Sequence, residues 1–357
     1  MVRAASVTVA AAVSVWLAAH ATATPGAESR LERQLAAVER QSGGDLGFAA
    51  IHLETGATVA RRGGERFQMM SVFKLPIALA LLDKADRGGL SLDTRLTIAE
   101  SDLRPGLSPI AERHPRGGMT MTARELLEAM VVQSDNTACD RLVAFVGGPG
   151  AVAARMRQLG VPDVDVSVDE LGLWQSFAGV EALGPRGEWS LAHFEALASA
   201  VAPERRTAAS RAFASLRPNT ATPEAMARLL VRVYRGEALG KDSTLLLLDM
   251  LKRTLPAAHR IKGGLPSGTL VYHRPGTSGT YEGLTPATND VGIVELPDGT
   301  HVALAIFVRN SARSGEVREG AIARAARAAY DAWSQPRERR DFSARTTWSD
   351  SKPWPTR

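Results

Sequence analysis

The stretch Met69-Met70-Ser71-Val72-Phe73-Lys74-Leu75-Pro76-Ile77-Ala78-Leu79-Ala80-Leu81-Leu82 sets a serine at the head of an apolar helical run, with a lysine three residues on. A spacing of three puts both side chains on one helical face, so the amine can approach the hydroxyl. A serine hydroxyl is a weak nucleophile until a nearby base takes its proton. Lysine can serve as that base if burial lowers its pKa, whereas arginine cannot deprotonate. Only six residues of this chain are lysines against 37 arginines, so finding one of the six here is informative. On its own the pair reads equally as an N-cap serine followed by a surface lysine.

Farther along stands Ser134-Asp135-Asn136, in a chain with only four asparagines. It supplies a second hydroxyl that can relay a proton to a leaving group, and an amide that can orient a carbonyl. The same three residues are also good helix starters, and Thr137 to Val146 reads as a helix.

Composition narrows the field. The chain has 357 residues, 45% hydrophobic and 23% charged, which argues against disorder, collagen or a coiled coil. Cys139 stands alone, so neither an internal disulfide nor a cysteine metal cage can form within the chain. The seven histidines include no HExxH and no close pair. No metal and no cofactor are therefore expected. The sequence pI of 9.6 invites a nucleic-acid reading, but its excess sits in residues 1–23 and the tail after Pro336. Basic and acidic residues nearly balance between those ends, and no nucleic-acid partner is expected.

Residues 1–23 carry a short basic start, an apolar stretch from about Ala4 to Ala19, and Ala21-Thr22-Ala23, the pattern of an export signal. A periplasmic or secreted protein with no stable membrane association after cleavage is expected; the alternative is an uncleaved anchor, since the run approaches the shortest spanning length. Beyond a helical segment at 29–42, the short apolar runs 46–53 and 57–62 flank Glu54-Thr55-Gly56 as a hairpin. A second hairpin, 291–296 and 302–308, turns at Pro297-Asp298-Gly299-Thr300. Nearly everything between the hairpins reads as helix, and an amphipathic helix, 316–333, closes the chain. This is an α+β pattern: an antiparallel sheet drawn from both chain ends, flanked by helices, with an inserted all-α region over about 90–262. The tail 336–357 reads as disordered.

The two motifs together resemble class A serine β-lactamases and their penicillin-binding relatives, whose signature is SxxK, SDN and a later KTG-type triplet. The resemblance runs from about Gly43 to Trp333 and takes in Asn219-Thr220-Ala221-Thr222-Pro223 as the start of the helix after the Ω-loop. It implies a monomer acting on a small β-lactam, with Ser71 as nucleophile, Lys74, or Glu170 through a water, as its base, and Ser134 as proton relay. Glu170, 36 residues after Ser134, matches the Ω-loop glutamate that activates the deacylating water, with Asp169 as a rival one residue away. Backbone N–H groups of Ser71 and Thr277 would form the oxyanion hole, at the positive end of a helix dipole.

Three departures stand out. The third motif reads His273-Arg274-Pro275-Gly276-Thr277-Ser278-Gly279, placing Arg274 at the family's lysine and Pro275 where a hydroxyl normally meets the substrate carboxylate. Arginine can bind a carboxylate through two bonds. The expected substrate-binding set is therefore Asn136, Arg274, Gly276, Thr277 and Ser278, with Lys262-Gly263-Gly264 as a superficial rival to the motif. Trp174 stands where many members carry an asparagine that helps hold the water. Lastly, Glu170 and Pro223 lie 53 residues apart, some three dozen more than a typical member needs. This insertion, about 175–217, with one or two extra helices in 189–216, reads either as a lid altering substrate choice or as decoration. The competing functions are a penicillin-binding D-alanyl-D-alanine peptidase or esterase-like hydrolase, and a non-catalytic lactam or cell-wall binding module.

Overall fold

A computed structural model describes residues 29–184 and 189–334; the leader and the tail expected from sequence lie outside the described residues. Five antiparallel strands form the main sheet, in the order Thr58–Arg61, Asp45–His52, His301–Ser311, Thr285–Glu295, Val271–Thr277. Both chain ends feed it, as the two hairpins require. Alternation along the strands sorts side chains to two faces. Phe48, Ala50, Val302, Leu304, Ile306 and Val308 pack against helices Arg30–Ser42 and Gly315–Ser334. Ala49, Ile293, Ala303, Ala305 and Phe307 face the helical region that holds the larger core.

The centre of that core is helix Lys74–Asp86, in which every residue from Lys74 to Leu82 is buried. A helix apolar all round has no solvent face, and the run after Ser71 has that composition. Pro76 is tolerated because the N–H groups of a first turn lack intrahelical partners anyway. Ser71 itself sits one step earlier, in the 3-10 turn Met70–Phe73 that leads into the helix. Asp135 caps helix Asn136–Val146 by accepting from Ala138 N at 2.8 Å, and this fixes Asn136 at its first turn.

The helical reading of the middle needs correction in two places. Arg95–Ala99 pairs with Gly117–Thr122 and Phe67–Gln68 pairs with Thr220–Ala221, while Val271–Thr277, the strand expected before Gly276, forms the sheet edge. The two unexpected pairs are short, so they leave little local periodicity. In the insertion the structure places two helices, Leu191–Ala200 and Pro203–Phe213.

Candidate active site

Lys74 gathers the site. Its Nζ lies 3.1 Å from Ser71 Oγ, 2.9 Å from Ser134 O, 3.4 Å from Ser134 Oγ and 2.5 Å from Asn136 Oδ1. Glu170 Oε1 is 2.8 Å away, with both side chains almost wholly buried. That approach is angled off a hydrogen-bond line, and Oε1 has no other polar partner, so charge holds the pair. Two buried ions together avoid the several kcal/mol that either would cost alone. The five predicted residues Ser71, Lys74, Ser134, Asn136 and Glu170 thus meet around one ammonium.

Two of the seven non-glycine residues with positive φ among the described residues lie here. Met70 has φ +48° and Ser134 φ +65°, left-handed conformations that cost a non-glycine residue about 1–2 kcal/mol each. Both neighbour the reacting hydroxyls, and their positions depend on the surrounding core. The edge strand approaches so closely that a Cβ on Gly276 would lie 2.5 Å from Met69 O and 2.9 Å from Ser71 N. Only glycine fits there. Ser278 N donates inward to Ala287 O at 3.0 Å, so by strand alternation the Thr277 N–H points outward, off the free edge and toward Ser71. With the Ser71 N–H at a helix start, this gives two convergent donors.

The rest of the third motif departs from expectation. Arg274 is buried, donating to Ser71 O at 2.8 Å, Val131 O at 2.8 Å and Ser134 Oγ at 2.7 Å. Each of its nitrogens donates to the protein and it does not border the cleft, so it is not an open carboxylate ligand. Burial pulls its guanidinium down to about 10, which leaves it charged at neutral pH. Ser278 likewise turns its hydroxyl into the sheet, toward Gly279 O and Ala287 O, and away from the cleft. Lys262 points its amine at Lys252 O and Thr254 O, which removes the rival motif.

What lines the cleft near Thr277 is Arg260, a residue the motifs did not single out. It donates to Gly276 O (3.1 Å), Asn289 O (2.7 Å) and Thr277 Oγ1 (2.6 Å), and pairs with Glu319 at 3.1 Å. The cleft holds about 210 Å³ and is bordered by Ser71, Ser134, Asn136, Glu170, Trp174, Pro275 and Thr277 as well. Pro275 faces it where a hydroxyl was missing from the sequence, and Arg260 with Thr277 supplies the nearest polar groups.

Glu170 opens helix Glu170–Ala178, with Asp169 as N-cap accepting from Gly172 N at 2.9 Å. Asp169 is therefore occupied as a cap, and Glu170 alone of the two reaches Lys74. The loop before it hangs on Asn219, whose Oδ1 accepts from Ser167 N (2.9 Å) and Val168 N (3.1 Å) and whose Nδ2 donates to Val168 O (2.9 Å). Behind it Asp140 accepts from Glu170 N at 2.7 Å and Leu171 N at 3.3 Å. Burial first, and then the nearby Asp169, push the Asp140 carboxyl up to about 7, against the pull of Arg104. Trp174 borders the cleft on Gly106, where a Cβ would lie 2.5 Å from its ring, and meets Phe177 edge-on at 6.1 Å. Cys139 is a buried free thiol. Among the described residues no group of three or more histidines, cysteines or acids is arranged to hold a metal ion.

Comparison with known proteins agrees with this geometry. The model of the β-lactamase enzyme family matches residues 30–333. The chain is 30% identical over 280 residues to the β-lactamase VEB-1 of Pseudomonas aeruginosa, covering 78% of this chain and 81% of that one. Among solved structures, a β-lactamase from Chitinophaga pinensis DSM 2588 superposes with a TM-score of 0.71 at 33% identity, over 85% of this chain and all of that one. A class A β-lactamase from Bacteroides cellulosilyticus DSM 14838 gives 0.69 at 27% identity, over 85% and 97%.

Proposed function

The chain belongs to the β-lactamase enzyme family, within its class A serine enzymes, and from that premise we propose that it hydrolyses the β-lactam ring of penicillin- and cephalosporin-type compounds through an acyl-enzyme on Ser71. The observation that carries the reading is the contact of Lys74 Nζ with both Ser71 Oγ and Glu170 Oε1, at 3.1 and 2.8 Å. A nucleophile, its proton acceptor and a carboxylate facing the cleft are what a two-step hydrolysis needs.

In the first step Ser71 Oγ attacks the lactam carbonyl. Its proton passes to Lys74, once Nζ has handed one to Glu170, or to Glu170 through a bridging water. The oxyanion forms between the Ser71 and Thr277 N–H groups. Arg274 donates to one lone pair of Ser134 Oγ, so the Ser134 proton is free to point into the cleft. It goes to the lactam nitrogen as the C–N bond breaks, and Lys74 at 3.4 Å replaces it. Glu170 then returns its proton to the neutral Lys74 Nζ, 2.8 Å away, and the carboxylate so restored deprotonates a water that attacks the ester. The water's proton passes from Glu170 to Ser71 Oγ as the ester C–O bond breaks. Thr277 Oγ1 accepts from Arg260 Nη2, keeps its own proton to donate, and so meets the substrate carboxylate with the Arg260 charge behind it; the sequence named Thr277 for this together with Arg274 and Ser278.

We also infer export. The pattern of residues 1–23 supports it, and among the described residues no helix is long and apolar enough to cross a membrane. The folded body would then work as a monomer in the periplasm or outside the cell.

The test is hydrolysis of a small panel of lactams alongside intact-protein mass spectrometry. Turnover with a transient adduct on Ser71, abolished in Ser71→Ala, is expected. A permanent Ser71 adduct without hydrolysis would make the protein peptidase-like, and no adduct at all would make it a binding module.

A further inference from the structure

The insertion after Glu170 need not touch substrate to matter. Trp189, on the insertion and 6% exposed, donates from Nε1 to Leu103 O at 3.2 Å, and its ring lies 5.8 Å from the Arg104 guanidinium carbon. Phe194 packs on the same ring at 5.7 Å, within an apolar cluster that includes Ala178 and Val180 at the end of the Glu170 helix. Arg104, 5% exposed, donates from Nε to Asp140 Oδ2 at 2.5 Å and from Nη1 to Ser101 O and Leu103 O. Asp140 in turn accepts from Glu170 N.

We propose that the inserted segment is a brace for the water-activating carboxylate, in which Trp189 holds Arg104, Arg104 holds Asp140, and Asp140 holds the backbone of Glu170. The proposal rests on Glu170 being the deacylating base. Asp140, Asp169 and Glu170 bring three carboxylates close together, and Arg104 is the buried cation that offsets them. A cation facing an aromatic ring is attracted to it, and a ring that shuts out water strengthens the cation's hold on its carboxylate. Trp189 does not border the cleft, so it is a positioning residue with no contact to substrate.

The two readings of the insertion from sequence make different kinetic predictions. A lid changes access, so kcat/KM would shift by amounts that depend on the lactam side chain. Decoration changes nothing. A brace acts on the second step alone: with deacylation limiting, kcat and KM fall together while kcat/KM, which reports acylation, stays put.

The experiment compares the full chain with Trp189→Ala, Trp189→Phe and Arg104→Lys on three lactams of different side-chain size, with adduct lifetimes by mass spectrometry. In Trp189→Ala we expect adduct lifetime to rise about tenfold by the same factor for all three, with Ser71 labelled at an unchanged rate. Trp189→Phe, which keeps a ring and loses the N–H, should recover most of the loss, and Arg104→Lys, which keeps the charge and loses the fork, should not. Unchanged lifetimes, or changes that track the substrate, would overturn the brace. If Trp189→Ala does not fold, the Phe and Lys variants decide it by the same criterion. Failure of the wild-type chain to form any Ser71 adduct would instead overturn the function on which the brace depends.

Discussion

The wall of the cleft carrying Ser71 and the wall carrying Glu170 are built by different means. The first is made of elements seated in the main core: the turn into helix Lys74–Asp86, the start of helix Asn136–Val146, and the sheet edge, cross-linked by Lys74 and Arg274. The second is a loop and a short helix tethered at points, by Asn219 in front, Asp140 behind, and aromatic contacts to the insertion. The half of the site carrying Ser71 is therefore tied into the core at many points, whereas the half carrying Glu170 depends on props that can be removed singly. Changes on the first wall should stop the reaction, and changes on the second should split it into its steps.

The largest effect is expected at Lys74. Lys74→Ala removes the proton acceptor and leaves Ser134 O and Asn136 Oδ1 without their donor, so the rate of Ser71 labelling should fall by about 10⁴-fold. Stopped-flow acylation measures it. Labelling that stays within tenfold of wild type would mean that Glu170 and a water carry the first step alone.

Next is Glu170→Gln, the sharpest probe of the second wall. Deacylation should slow by about 10³-fold while acylation changes far less, leaving a trapped adduct in intact-mass spectra. Equal losses in both steps would erase the distinction between the walls. Because Oε1 has Lys74 as its one polar contact, the amide also breaks the ion pair. Lys74 keeps its neighbours on the first wall, so the helix start should persist.

How much of this was legible in sequence follows the same division. Ser71 with Lys74, and Ser134 with Asn136, are local pairs fixed by helical geometry, and Glu170 was found by its offset from Ser134. The hairpins at the two ends were visible because their strands alternate around strong turns. The motif residues Arg274 and Ser278 were picked by their place along the chain, which does not tell their direction: on an edge strand, alternation and neighbouring carbonyls decide which way a side chain turns. Arg260 gave no signal, because it reaches Thr277 from a different element 17 residues earlier, through contacts that only the folded sheet creates. Trp189 and Arg104 were equally silent, being 85 positions apart in sequence.

Arg260 offers a smaller, first-wall effect that separates binding from chemistry. Arg260→Ala removes the charged donor nearest Thr277, and a charged hydrogen bond contributes about 1.5–3 kcal/mol, so KM for anionic lactams should rise about 10–100-fold. A lactam ester without the free acid should show little difference between the two proteins. If Arg274→Met raised KM in the same way and Arg260→Ala did not, the original assignment from sequence would be restored.

The smallest effect tests how the second wall stores its charge. Asp140 is an acid whose folded pKa, about 7, lies above the ordinary aspartate value of 3.8, first because it is buried and then because Asp169 and Glu170 are near. Between those pH values the folded chain binds more protons at this position than the unfolded chain does. Its contribution to stability therefore falls as pH rises from about 4 to 7 and is level above that. Asp140→Asn cannot titrate in this window, so the wild-type melting temperature minus that of the variant should shrink across it by roughly several degrees. Other groups cancel in the difference. A difference that stayed level across this window would mean that Arg104 and the two backbone donors outweigh burial and keep Asp140 ionised throughout. The second wall would then be held by charge as firmly as Lys74 holds the first.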